Sequence, residues 1–168
     1  ELGIQVIAGE NDAVFMKLLR LLDGADVKYE VIEHKPVKTS EEAANVRGTP
    51  MSIAPKAMIM KTKSGKFIMV CVPADRQVDT GKVSEVVGEN VKLASAEEVE
   101  ELFGIKVGAV PPFGALFEME TYIDKDFWDK DDVVFNAGRR DRSIRMKAAD
   151  LIAAAKPTKI SETSDFKK

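Results

Sequence analysis

Asn11 and Asp12 stand before Val14, Phe15, Leu18, Leu19, Leu21 and Leu22. Apolar residues recurring at three and four positions trace one helical face, and Gly24 supplies its stop. Tyr29 to His34 is short and β-prone, and Pro36 closes it. Thr39 with Glu42 has capping-box spacing and predicts a short helix through Val46 that ends at Gly48. Two apolar runs, Lys56 to Thr62 and Phe67 to Val72, flank Lys63-Ser64-Gly65-Lys66 and predict a β-hairpin. Thr80 to Val87 reads as a helix, Val91 to Leu93 as a strand, and Ser95 with Glu98 opens a helix ending near Phe103-Gly104. Gly104, Gly108 and Gly114 with Pro111 and Pro112 exclude regular structure over 104–114. Strand-like pieces at Ala115 to Ile123, Asp132 to Asn136 and Ser143 to Arg145 precede a helix from about Met146 to Ala155.

Strands and helices interleave without a regular βαβ period, which favours hairpins over crossovers. The fold expected is mixed α/β, a largely antiparallel sheet with helices packed on it. One domain over residues 1–156 is expected, followed by a loose polar tail over 157–168. With 168 residues and 45% apolar content the chain can bury one real core.

Charged residues make up 32% of the chain and the net charge is −3, which excludes a polybasic binder defined by bulk charge. Any nucleic-acid site must be a local patch. Cys71 is the single cysteine and His34 the single histidine, so internal disulfides, Cys-rich zinc sites and multi-His metal centres are excluded. No stretch approaches the roughly 20 apolar residues of a membrane span, and no signal peptide is visible, so the reading is cytoplasmic.

Three features carry candidate chemistry. Lys56 enters an apolar strand, where it either snorkels to water or points into a pocket with its pKa lowered. From the residues alone the strand-edge lysine is the commoner outcome. The loop 104–114 lacks the phosphate-binding signatures GxxxxGK[ST] and GxGxxG, yet its glycines permit exposed N–H groups able to hold an oxyanion. A rigid connection explains it equally well. Arg139, Arg140, Arg142, Arg145 and Lys147 face Asp141 alone within one strip, whereas 124–132 is rich in aspartate. Phosphate contacts are the economical function for that strip, and a solvated, internally paired hairpin is its rival. His34 is more often a hydrogen-bonding residue than a catalyst, and Cys71 reads as a buried small hydrophobe.

Lys56 at the start of a strand, then Gly104-Ile-Lys-Val-Gly108-Ala-Val-Pro-Pro-Phe-Gly114, then Asn136-Ala-Gly138-Arg-Arg-Asp-Arg-Ser-Ile-Arg-Met, taken in that order, resemble the YbaK-type aminoacyl-tRNA editing domains. These are related to the editing domain of bacterial prolyl-tRNA synthetases. The resemblance implies a central, mainly antiparallel, barrel-like sheet and metal-independent hydrolysis of the ester joining a small mischarged amino acid to tRNA. Cys- or Ala-tRNA(Pro) is the family default. It implies Lys56 as the functional lysine and no cofactor or metal. Gly108 and Gly138 would flank a pocket that takes in Ile53, Ala57, Met58, Pro111, Pro112, Phe113 and Gly114. The partner implied is the tRNA acceptor end, contacted by Arg139, Arg140 and Arg142, with prolyl-tRNA synthetase as a second partner and neither DNA nor membrane. Relatives often carry Thr or Asn where Ala57 stands and Ser or Thr where Pro111 stands. Those departures keep a second reading open, a binding module without hydrolysis, and a third, a small-molecule binder using the same pocket.

Overall fold

Helix α1 (Asp12–Gly24) turns Val14, Phe15, Leu18, Leu19 and Leu22 inward, the face its periodicity predicts. The computed structural model describes residues 12–156 and 165–168; Asn11, the opening residues and 157–164 of the expected tail lie outside them. After β1 (Tyr29–Glu33), Thr39 caps α2 (Ser40–Arg47) by accepting from the Glu42 N–H, and Gly48 ends it in the left-handed region at φ 69°. The expected hairpin forms from β2 (Pro55–Thr62) and β3 (Phe67–Pro73). Helix α3 (Thr80–Val87), strand β4 (Val91–Leu93) and helix α4 (Ala96–Phe103) follow, and Ser95 and Glu98 make the reciprocal capping box. The chain closes with β5 (Glu120–Ile123), β6 (Asp132–Arg139), β7 (Arg142–Lys147) and α5 (Ala148–Ala155).

The strands form two sheets, ordered β1-β7-β6 and β4-β2-β3-β5. Among the described residues every strand pairing is antiparallel except β3 with β5. The mixed α/β fold is therefore as expected, but the sheets do not close into a barrel. Strand β3 is buried on both faces, which its uninterrupted apolar run requires. Met69 and Cys71 enter the main core with α1 and α5, while Ile68, Val70 and Val72 face a smaller cluster containing Val83, Tyr122 and Phe166.

Three expectations are corrected. Ala115 begins no strand: Gly114–Phe117 is a 3-10 turn, because the Gly114 N–H donates to Thr121 Oγ1 and bends the chain back on itself. The last helix starts at Ala148 rather than Met146, since β7 keeps Met146 paired with Tyr29 and Val133. Residues 165–168 are not loose: Phe166 is fully buried and packs edge-to-face on Tyr122.

A side chain at Gly114 would drive into Thr121 Oγ1 and the Met119 carbonyl, so only glycine fits there. Gly114→Ala is expected to cost about 1–3 kcal/mol, read as a lower urea midpoint at unchanged m-value. An unaltered midpoint would show that the turn relaxes freely.

Candidate active site

The start of β2, the length of α2 and the turn between β6 and β7 converge on a cavity of about 330 Å³. Lys56, Ala57 and Met58 form one wall, and Thr39, Ser40 and Arg47 another. Gly108, Phe135, Asn136 and Arg140 complete it. Gly108 lies at φ +93°, and the cavity face of its turn is set by Asn136, whose Nδ2 donates to the Gly108 carbonyl. Among the described residues the Gly108 N–H has no protein acceptor.

Asn136 is held in turn. Its Oδ1 accepts from Arg47 Nη2 at 2.8 Å, while Arg47 Nε donates to Ser143 Oγ at 2.9 Å. His34 completes the network, with Nε2 2.7 Å from Ser143 Oγ and Nδ1 2.8 Å from the Lys35 carbonyl. A carbonyl only accepts, so Nδ1 carries the proton and the neutral ring accepts the Ser143 hydroxyl hydrogen at Nε2. Burial lowers the pKa of His34 and pushes that of Arg47 down to about 10. The Lys56 amine is half-buried, donates to the Arg76 carbonyl at 3.0 Å, and has its pKa lowered by burial, with Asp75 pulling the other way.

The electrostatics of this cavity are one-sided. Among the described residues Lys38, Arg47, Lys56 and Arg140 all line it, and no carboxylate does. Among the described residues none of the four forms a salt bridge. The Arg140 Nε is buried with no hydrogen-bond partner among the described residues. In a chain of net charge −3 that arrangement calls for an anion from outside.

The structure thus gathers Lys56, Ala57, Met58, Gly108 and Arg140 from the predicted site, and leaves others behind the wall or away from it. Phe113 is fully buried and packs edge-to-face on Phe135 at 5.7 Å, so it backs the cavity without lining it. Pro111, Pro112 and Gly114 are buried in the same loop, and Ile53 sits in the 3-10 turn before β2. Gly138, at φ +86°, lies against Val14 and the Phe15 backbone and forms the bulge that separates Asn136 from Arg139.

The predicted cationic strip is mostly committed to the fold. Arg139 is wholly buried and pairs with Asp12 and Asp141, which removes it from any phosphate. Arg142 pairs with Asp141 and Glu33, and Arg145 and Lys147 with Asp132. Burial alone would raise the Asp141 pKa, but Arg139 and Arg142 outweigh it and hold the carboxyl low. Sequence reasoning missed Arg47, Lys38 and Ser40, and it quoted Asn136 and Ser143 within a motif without giving either a role. The Cys71 thiol, buried and pushed up to about 12, is inert. Among the described residues no three His, Cys, Asp or Glu side chains gather as a metal site would require, and no helix is long and apolar enough to cross a membrane.

A double-sheet α/β frame with a cation-lined cavity defines the class, and comparison with known proteins supplies the family. Residues 34–154 match the aminoacyl-tRNA editing domain family. The chain is 31% identical over 153 residues to the multifunctional Ser/Thr-tRNA deacylase ProXp-y of Escherichia coli strain K12, covering 88% of this chain and 92% of that one. It is 40% identical over 93 residues to the proline–tRNA ligase of Bacillus licheniformis, covering 54% of this chain but 16% of the ligase. The crystal structure of a hypothetical protein superposes with a TM-score of 0.82 at 25% identity, covering 90% of this chain and 99% of that one. A structure described as a candidate trans-editing enzyme for prolyl tRNA synthetase gives 0.78 at 24% identity, covering 95% and 99%. The chain belongs to the aminoacyl-tRNA editing domain family, a family of aminoacyl-tRNA deacylases.

Two outcomes follow from the buried polar groups. Because the folded-state pKa of His34 lies below 6.5, the unfolded chain binds the proton more tightly, and stability declines as pH falls below about 6.5. Urea unfolding between about pH 7 and 5.5, where carboxylates stay ionised, should show that slope in the parent and lose it in His34→Gln. An equal slope in both proteins would discharge His34. Arg139→Gln should cost about 3–5 kcal/mol by leaving Asp141 buried and short of its partner. Arg140→Gln should cost well under 1 kcal/mol by the same assay.

Proposed function

We propose that the chain hydrolyses the ester linking a small mischarged amino acid to the 3′-terminal adenosine of tRNA. The observation that carries this reading is the ring of Lys38, Arg47, Lys56 and Arg140 with no carboxylate among them. The acceptor end presents phosphodiesters, and those cations suit them. An aminoacyl ester is already activated, so the protein has to orient it and stabilise charge on the carbonyl oxygen. The Lys56 ammonium and the Gly108 N–H are the donors assigned to that task. Water adds to the carbonyl carbon, the C–O bond to the ribose breaks, and the ribose oxygen takes a proton. Free amino acid and tRNA are the products, and the adjacent ribose hydroxyl assists.

The size of the residue removed follows from the walls. Ala43, Ala57 and Ala74 leave short side chains around the cavity, and Ser40, which also lines it, has a hydroxyl with no protein partner among the described residues. A free hydroxyl there suits a substrate hydroxyl, and the E. coli relative is named for Ser and Thr. We therefore rank seryl and threonyl esters ahead of alanyl and cysteinyl ones. Discrimination by such a bond can be large, because rejecting it leaves a polar group unpaired.

The test is release of amino acid from a panel of mischarged tRNAs. Lys56→Ala should lower turnover by about 100-fold on the accepted substrate. Ser40→Ala should narrow the preference for seryl over alanyl ester by about tenfold. Arg140→Ala should weaken tRNA binding and reduce the slope of log affinity against log salt by about 0.7. Undiminished turnover in Lys56→Ala would remove the lysine from the mechanism. Salt-dependent tRNA binding with no hydrolysis of any ester would make the protein a binding module.

A further inference from the structure

Among the described residues Lys56 donates to a single protein acceptor, the carbonyl of Arg76, which lies in the loop after β3. That loop is not held by its own sequence alone. Residues 165–168 run beside it as a strap: the Asp79 N–H donates to the Phe166 carbonyl at 2.8 Å and the Lys168 N–H to the Gln77 carbonyl at 2.9 Å. Val78 and Lys167 form an antiparallel bridge, and the Arg76 guanidinium donates to the Lys168 carbonyl. Two buried anchors fix the strap itself. Phe166 fills the second cluster against Tyr122, and its N–H donates to Asp124 Oδ2 at 2.8 Å. Lys167, 5% exposed, sends its ammonium to Asp124 at 2.9 Å, Asp126 at 3.1 Å and Asp165 at 3.3 Å.

We propose that the strap Asp165–Lys168 is a positioning element for Lys56, fixing the Arg76 carbonyl so that the ammonium is held at the cavity edge. Removing either anchor loosens the strap, which Lys82 still holds through Asp165 and the Lys167 carbonyl, and with it the loop 76–79. The lysine then loses the one bond that limits its four-carbon stem, although nothing lining the cavity has changed. Misplacing a substrate-facing group by about 1 Å can cost up to 100-fold in rate. The inference rests on the reading of Lys56 as the substrate-facing amine.

The experiment uses the full chain. Arg76→Gln perturbs the strap with little loss of core, whereas Lys167→Met leaves the buried Asp124 without its cation and Phe166→Ala removes the apolar anchor, so both of these are severe variants. Each is made in the parent and in the Lys56→Ala background, with circular dichroism to confirm folding. In the parent, kcat for deacylation should fall about tenfold while KM for charged tRNA moves less than about twofold, because Lys38 and Arg140 are untouched. Lys167→Arg should restore most of the loss. In the Lys56→Ala background the same changes should lower kcat no further. Independently of turnover, 13Cε relaxation of Lys56 should report a more mobile side chain in Lys167→Met. Folded strap variants with parental kcat and an unchanged Lys56 signal would overturn the proposal, as would equal falls of kcat in both backgrounds. Full activity in Lys56→Ala would overturn the catalytic reading instead, and a mobile Lys56 in Lys167→Met would then still show that the strap positions the amine.

Discussion

Asn136 is the point at which three separate pieces of chain are made into one cavity wall. The loop 104–114 belongs to no strand ladder, so its place is set by a few bonds across the fold. Gly138 N–H donates to the Ala109 carbonyl and Asn136 Nδ2 to the Gly108 carbonyl. An amide has two ends, and the other end of Asn136 accepts from Arg47. One side chain thereby ties the glycine turn to α2 through β6. The bulge that follows Asn136 turns Arg139 and Arg140 to different fates, one into the core and one to the cavity. The bulge in turn needs Gly138, because α1 lies too close for a side chain.

Charge is distributed by the same logic. Asp141 takes up Arg139 and Arg142, and Asp132 takes up Arg145 and Lys147. Aspartates placed within the basic strip and at the near end of the acidic one cancel most of the dipolar surface that the sequence suggests. Of the basic strip, Arg140 has no ion-pair partner among the described residues, and it lines the cavity. Arg47 is held there by neutral acceptors, the hydroxyl of Ser143, the carbonyl of Val134 and the amide of Asn136. Neutral partners fix the guanidinium in place without neutralising it. Keeping a partly buried cation unneutralised destabilises the empty fold, and an anionic ligand that binds only the native state offsets that cost.

Legibility in the sequence followed the range of the interaction. The caps at Thr39 and Ser95 were readable because each is satisfied three residues on, and the α1 face because its apolar residues recur at three and four positions. The β2–β3 hairpin was readable from the Ser-Gly turn between two apolar runs of matched length, but the parallel pairing of β3 with β5 and the division into two sheets were not. Lys56 was visible by contrast with its apolar neighbours. Arg47 was hidden, because at the end of α2 it reads as an ordinary last-turn cation whose partners lie 87 to 96 residues away. His34 was hidden likewise, with Ser143 109 residues on. Arg139 misled for the complementary reason: its position in a basic run signals phosphate, whereas Asp12, 127 residues earlier, makes it structural.

Two lysines show what distinguishes a cation that holds the fold from one offered to a ligand. Lys167 is more buried than Lys56, yet it meets three aspartates, which more than offset the effect of burial and raise its pKa. Its charge is spent within the protein. Lys56 meets a carbonyl, and burial lowers its pKa with only Asp75 opposing. A carbonyl can orient an ammonium without cancelling it, so the field of Lys56 still reaches the cavity. Burial alone does not sort the two residues, and neither does position in the sequence. The number of carboxylates facing each amine does, and by that criterion Lys38, Arg47 and Arg140 fall on the same side as Lys56.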